Sequence, residues 1–134
     1  MAVIKSKRGV SDMEFIHTAR ELQAHTIRKC ASFPKRYTFY VGQPLAQIAF
    51  EIHHDVKCAN SVFPTNRHEA QRRRDYLVDA NAKLQSMVSQ VELANEVFGI
   101  GDDAMEYWME IIYREIRLVK GVIRRDEQRY KDLS

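Results

Sequence analysis

Apolar residues recur along most of the chain at intervals of three and four, which is the spacing of one face of an α-helix. The first such stripe contains Phe15, Ala19, Leu22, Thr26 and Cys30. The periodicity predicts four helices, over about residues 11–32, 37–63, 66–98 and 103–131. The stripes of the last three helices are Leu45, Ile48, Ala49, Ile52, Val56, Ala59 and Phe63; Ala70, Leu77, Ala80, Leu84, Met87, Val91, Ala94 and Phe98; and Met105, Trp108, Met109, Ile112, Ile116, Val119 and Ile123.

Three stretches have the pattern of a capping box, in which a short polar side chain and a glutamate three residues later satisfy the free amides at a helix start. They are Ser11–Glu14, Asn66–Glu69 and Asp103–Glu106. Gly42 and Pro44 disfavour a regular helix interior. The sequence therefore leaves open whether the second helix begins before or after Pro44.

Residues 1–10 lack this periodicity and contain Lys5, Lys7 and Arg8, so we expect a basic N-terminal arm ahead of one helical domain over residues 11–134. Long helices joined by short connections fold back on their neighbours. The sequence therefore predicts an all-α protein, an up-down-up-down four-helix bundle. A length of 134 residues with five Gly and three Pro agrees with one domain of long helices.

The composition excludes several classes of protein. The two cysteines, Cys30 and Cys58, are too few for a disulfide scaffold. No apolar run approaches the roughly 18 residues of a membrane span. The N-terminus lacks the apolar core of a signal peptide. We therefore expect a cytoplasmic protein that does not associate with a membrane.

The fourth predicted helix has a second apolar stripe about 100° away from its core stripe. This stripe contains Ala104, Tyr107, Ile111, Leu118 and Val122. A single stripe is enough for a helix at the edge of a bundle, so the second one favours an oligomer interface through Tyr107, Ile111, Leu118 and Val122. The alternative is a wide core face that the N-terminal arm covers.

The basic residues are more informative by position than by number. With 21 Lys+Arg against 18 Asp+Glu, the net charge is only +3. In the predicted topology, however, the N-terminal arm, the start of the third helix and the end of the fourth meet at one end of the bundle. The candidate polyanion-binding residues at this end and along the solvent side of the fourth helix are Arg67, Arg72, Arg73, Arg74, Arg114, Arg117, Arg124, Arg125, Arg129 and Lys131.

Arginine predominates in this set, and its planar fork suits phosphate better than the point charge of lysine. Basic residues near the end of a helix also interact favourably with the helix dipole, which is the alternative reading of Arg124–Lys131. The run Arg72–Arg74 lies near a helix start, where the dipole disfavours positive charge. This run therefore favours a polyanion ligand.

Patterns typical of catalysis or metal binding are weak. Glu14/His17 and Glu51/His54 have the Glu-x-x-His spacing of di-metal bundles, but both histidines are predicted to point away from the core. His54 and Cys58 could share a metal, although two ligands without a second pair do not make a zinc site. The chain also lacks a Gly-rich phosphate loop and a Gly-x-Ser-x-Gly motif. We expect a non-catalytic protein without a cofactor.

The order of the predicted helices resembles that of a bacterial superfamily of four-helix-bundle proteins, and the segments that carry the likeness are Ser32–Arg36 and the aromatic stretch Tyr37–Tyr40. The superfamily includes proteins encoded within intervening sequences of large ribosomal RNA genes and the accessory variability determinant proteins of diversity-generating retroelements. The resemblance covers about residues 13–131. The ribosomal branch has a Ser-x-Pro-x-Asn signature in its second helix, which Ala49–Asp55 lacks, so the chain is more similar to the retroelement accessory proteins.

That resemblance implies a cytoplasmic homopentamer that forms a basic barrel and binds RNA or DNA together with the retroelement's reverse transcriptase. Such a protein supports mutagenic complementary-DNA synthesis without catalysing it. The alternative is a protein-only oligomeric scaffold or adaptor whose arginines merely solvate the bundle. Nucleic-acid binding that weakens steeply with salt separates the two hypotheses, because phosphate contacts release counterions.

Overall fold

The helices form a closed ring in the structure, a computed structural model that describes residues 2–134, with side chains from Met13 onward. The described helices are α1 (Ala2–Ala31), α2 (Gln43–Ser61), α3 (Arg67–Phe98) and α4 (Asp102–Arg129). Each helix packs against the next one along the chain, and α4 packs back against α1. The predicted all-α four-helix bundle is confirmed.

Side-chain contacts show that neighbouring helices run antiparallel. Between α1 and α4, the Trp108 indole N–H donates to Thr26 Oγ1 at 3.2 Å, whereas Arg114, farther along α4, contacts Glu21, earlier on α1. The order of the helices is therefore up, down, up, down. The first residues of α3 and the last of α4 consequently lie at one end of the bundle.

The core lies on the bundle axis and consists of apolar side chains that recur at helical spacing. Trp108 is its largest fully buried side chain, and Phe15, Leu22, Leu45 and Leu84 are also fully buried. Burial of a large apolar side chain contributes about 1.5–3 kcal/mol. No helix of the described chain is both long enough and apolar enough to cross a bilayer.

The start of α1 differs from its prediction. The Ser11–Glu14 capping box predicted a helix start at Ser11, but α1 begins at Ala2. No proline interrupts residues 2–11, and a single glycine costs a helix only about 1 kcal/mol, so helix can extend through this segment. The side chains of residues 1–12 lie outside the described residues, and with them the contacts expected for the basic arm and for Ser11.

The connection between α1 and α2 is itself helical. A 3-10 turn at Lys35–Tyr37 and a π-helical turn at Thr38–Gly42 lead directly into α2. Pro44 therefore occupies the first turn of α2, where a residue without a backbone N–H is tolerated. This geometry decides what the sequence left open, because helical structure begins before Pro44.

Aromatic side chains close the end of the bundle next to this connection. The ring of Phe33 lies edge-on to Phe98 at 4.7 Å between centroids, and Tyr37 stacks on Phe98 at 5.1 Å. These contacts hold the connection against the end of α3. We call this end the aromatic end, and the opposite one, where α2 and α4 finish and α3 starts, the basic end.

Candidate nucleic-acid interface

The start of α3 is fixed by its own side chains. The Asn66 side chain accepts a hydrogen bond from the Glu69 backbone N–H at 2.9 Å, as the capping pattern predicted. Glu69 in turn accepts hydrogen bonds from the backbone N–H and the hydroxyl of Thr65, which lower the pKa of its carboxyl group. The third predicted box is wrong, because Gly101 precedes α4 and no side chain of the described chain caps that helix.

The last residues of the chain lie beside the start of α3. The Arg67 backbone N–H donates to the Ser134 carbonyl oxygen at 3.3 Å. A cleft of about 130 Å³ opens between α3 and α4, and Arg67, Arg74, Tyr130 and Lys131 line part of it. The fold therefore brings the basic residues of both helices to one end, as the topology predicted.

Arg73 is an exception to the predicted surface role. Its side chain is buried, and its Nε lies 2.6 Å from Asp126 Oδ2. Its Nη1 donates to the Ala59 carbonyl oxygen at 3.0 Å and to that of Val62 at 3.5 Å, so it also caps the last turn of α2. Arg73 is therefore not part of the candidate interface, because its N–H groups donate to Asp126, Ala59 and Val62 inside the protein.

The other two arginines of the run differ from each other. Arg74 donates to Glu127 Oε1 at 2.7 Å, and both side chains are about half exposed, so the pair is a surface ion pair. Arg72 is exposed and forms no ion pair with the described residues. Successive residues of a helix are about 100° apart, which sends three adjacent arginines in three directions.

Several exposed cations of the basic end lack a carboxylate within ion-pair distance in the described part of the chain. They are Arg67, Arg72, Arg124, Arg125 and Lys131. Arg129 differs, since it lies 3.9 Å from Asp126 Oδ1 and 5.9 Å from the Tyr130 ring centroid. We call the five residues the open cation set. Phosphate oxygens could reach these side chains without displacing an internal partner.

Two predicted members of the interface lie away from this end. Arg114 is 3.3 Å from Glu21 of α1, and Arg117 is exposed near the middle of α4. Arg117 is seven residues before Arg124, which corresponds to about 10 Å of helix. The structure therefore does not bring Arg114 and Arg117 together with the open cation set.

The predicted oligomer interface on α4 is corrected by the fold. Ile111 and Val122 are buried within the monomer, and Leu118 packs partly buried against the core. Tyr107 alone of the four is exposed, and its ring contacts His25 of α1 edge-on. Each helix of a closed ring has two neighbours, so α4 needs a wide apolar face, half of which contacts α1 rather than another molecule.

The metal-binding patterns remain apart. His17 and His54 are both exposed, as predicted, and His54 Nε2 lies 3.5 Å from Cys58 Sγ. Among the described residues, no three His, Cys, Asp or Glu side chains cluster in a way that would hold a metal ion. Burial raises the pKa of the Cys30 thiol to about 11, which favours its protonated form.

Glu115 was missed by the sequence analysis. It is fully buried in α4, and neither carboxyl oxygen has a hydrogen-bond partner within the described chain. Burial raises the pKa of this carboxyl group well above its ordinary value of 4.5, and the charge of Arg114 only partly opposes the rise. Its spacing from Ile112 and Val119 was the available signal, since it falls on the core stripe.

The aromatic end also carries features that the sequence analysis did not assign to a site. Phe39 and Tyr40 are 71% and 77% exposed, although they belong to a helical turn that contacts both α1 and α2. The sequence feature that marks this segment is the absence of Asp and Glu between Glu21 and Glu51.

Comparisons of the chain with protein-family models, curated proteins and solved structures found no match.

Proposed function

We propose that this protein is a non-catalytic accessory protein that binds nucleic acid through the phosphate backbone. The open cation set supports the proposal, because five exposed cations from the start of α3 and the end of α4 share one end of the bundle. Four of the five are arginines, which bind phosphate oxygens in a bidentate geometry. Contacts of this kind position a nucleic acid but do not read its sequence, so we expect little base specificity.

The resemblance to the accessory variability determinant proteins gives the proposal a more specific form. In that form the protein is a cytoplasmic homopentamer that partners a reverse transcriptase and supports mutagenic complementary-DNA synthesis. A reverse-transcriptase gene and a pair of template and variable repeats beside the gene of this protein would support this form. Without them, the proposal reduces to phosphate-backbone binding.

The central experiment compares two double variants that change the net charge equally. Arg72→Glu/Arg124→Glu reverses two members of the open cation set, whereas Arg20→Glu/Lys57→Glu reverses two exposed cations on α1 and α2. We expect the first double variant to weaken binding of a fluorescently labelled RNA at least about tenfold at low salt. We also expect it to reduce the salt dependence of binding, because fewer phosphate contacts release fewer counterions from the RNA. Fluorescence anisotropy over a salt series measures both quantities.

The control variant should retain most of the wild-type affinity. Equal losses in the two double variants would mean that net charge alone attracts the RNA and that the basic end has no special role. Binding that does not change with salt, or no binding by the wild-type protein, would contradict the proposal and favour a protein-only scaffold.

A further inference from the structure

The aromatic end presents two aromatic rings to solvent on a rigid support. Phe39 and Tyr40 lie in the π-helical turn, and their ring centroids are 5.7 Å apart at an interplanar angle of 89°. From the same connection, Phe33 and Tyr37 pack inward against Phe98. The inward pair anchors the connection, so the outward pair does not rely on a loose loop for its position.

The stretch of chain that contains these rings carries basic residues and no acidic ones. No Asp or Glu occurs from Leu22 through Phe50. Arg28 and Lys29 lie in the last turn of α1, and Lys35 and Arg36 form the 3-10 turn before the aromatic pair. None of the four cations forms an ion pair with any described residue.

A neighbouring histidine responds to this charge. Burial is the largest cause that lowers the pKa of His25, and the charges of Lys29 and Arg28 lower it further, against the opposing charge of Glu21. The acidic residues that begin α4 at this end, Asp102 and Asp103, do not pair with the cations. The connection is therefore a positively charged surface as well as an aromatic one.

An open hollow lies beside the ring of Phe39. It has a volume of about 670 Å³, and its lining includes Gln43, Pro44 and Gln47 from the first turns of α2. The Gln47 amide donates to Glu51 at 3.0 Å, whereas the Gln43 amide has no hydrogen-bond partner among the described residues. An amide group of this kind can both donate to and accept from the edge of a nucleobase.

We propose that Phe39 and Tyr40 form a stacking site for unpaired nucleobases, with the strand's phosphates on Lys35 and Arg36. Exposed aromatic rings interleaved with cations are typical of proteins that bind single-stranded nucleic acid, since every base has a face that can stack. The bases of a duplex are already stacked on each other, so the rings select single strands. The inference rests on the proposed nucleic-acid binding, but it concerns the opposite end of the bundle.

The test uses the full chain with two labelled probes, a 20-nucleotide single-stranded DNA and the duplex of the same sequence. We expect Phe39→Ala/Tyr40→Ala to weaken binding of the single strand at least about tenfold, because the stacking of bases on both rings is lost. Binding of the duplex should stay within about twofold of wild type. Tyr40→Phe, which keeps the ring, should bind the single strand as the wild-type protein does.

The matched control is Phe63→Ala, which removes an aromatic ring of 78% exposure at the basic end. It should cause no loss that is specific to the single strand. Circular dichroism checks that the variants remain folded, which we expect because Phe39 and Tyr40 contribute little buried surface.

The outcomes separate this inference from the proposed function. A double alanine variant that binds the single strand normally, or that loses both probes equally, overturns the stacking site; normal binding would leave a protein partner as the occupant of the rings. Single-strand loss in this variant, together with normal binding by Arg72→Glu/Arg124→Glu, supports the stacking site and overturns the role of the basic end. A wild-type protein that binds neither probe overturns both.

Discussion

Arg73 and Glu115 are both buried ionisable residues, but their surroundings differ. Arg73 has Asp126 at 2.6 Å and the carbonyl oxygens of Ala59 and Val62 within hydrogen-bond distance, so its guanidinium donors have partners inside the protein. Glu115 has no partner within the described structure, so burial favours its protonated form. One residue is stabilised by its partners, and the other is most stable as a neutral acid.

The stability of the protein should therefore depend on pH through Glu115. Because the pKa of this carboxyl group is higher in the folded than in the unfolded chain, the folded state binds more protons above pH 4.5. The contribution of Glu115 to stability is fully present below the ordinary glutamate pKa and is lost as the pH rises toward the folded pKa. We expect Glu115→Gln to raise the free energy of unfolding relative to wild type, by an amount that grows as the pH rises above 4.5.

Urea denaturation at several pH values measures this difference. Glu110→Gln is the control, because Glu110 is an exposed glutamate on the same helix. It should leave the pH dependence unchanged. A Glu115→Gln variant whose stability follows the wild-type pH curve in parallel would show that this carboxyl group does not titrate differently in the folded protein.

At the scale of the elements, the buried Arg73 joins three helices. It lies on α3, pairs with Asp126 of α4 and caps the last turn of α2, so one side chain fixes the relative positions of the helix ends at the basic end. Arg74, one residue along, connects α3 and α4 only at the surface. Helical geometry explains why Arg73 is buried and Arg74 is at the surface, because successive residues of a helix point in directions about 100° apart.

Removing one partner of the buried pair should be costly. We expect Arg73→Met to lower the free energy of unfolding by about 3 kcal/mol, because the carboxylate of Asp126 is then left without its main partner in a buried position. Arg74→Met breaks an exposed pair and should cost at most about 1 kcal/mol. Denaturant unfolding of the two variants measures the contrast.

A double variant checks the cause. Arg73→Met/Asp126→Leu removes both charges, so it should recover much of the loss caused by Arg73→Met. If Arg73→Met and Arg74→Met lower the free energy of unfolding equally, the buried pair of Arg73 and Asp126 contributes no more to stability than an ordinary surface ion pair.

At the scale of the whole molecule, the closed ring of helices accounts for most of the second apolar stripe of α4, which the sequence favoured as an oligomer interface. Ile111 and Val122 are covered by the bundle itself. Self-association of this protein, where it occurs, therefore needs a different surface from the stripe on α4. The homopentamer that the family resemblance implies stays a proposal.

Leu118→Glu tests this correction. Since Leu118 packs against the core, we expect the substitution to lower the free energy of unfolding by at least about 1 kcal/mol and to leave the molar mass of the folded protein unchanged. Light scattering coupled to size exclusion measures the mass, and thermal unfolding measures the stability. Tyr113→Glu, at an exposed position of α4, should affect neither. A folded Leu118→Glu protein of lower mass than wild type would restore the stripe as a subunit interface.

Local patterns of the sequence were sufficient for the fold class and for much of the element structure. The spacing of apolar residues predicts the four helices, and the Asn66 cap predicts the start of α3 to within one residue. The convergence of basic residues on one end follows from the order of the helices alone. These features depend on residues close in the chain or on topology, which the sequence records directly.

Only the tertiary structure decided the role of individual side chains. Whether an arginine is buried in an internal ion pair or exposed to solvent depends on residues more than fifty positions away, as the pairing of Arg73 with Asp126 shows. The width of a helix's apolar face depends on how many neighbours it has, and the closed ring gives α4 two. The exposure of Phe39 and Tyr40 beside the buried Phe33 depends on how one connection packs across the bundle. Burial and partnership are properties of the assembled helices, so a pattern along one helix indicates its core side but not what each side chain meets there.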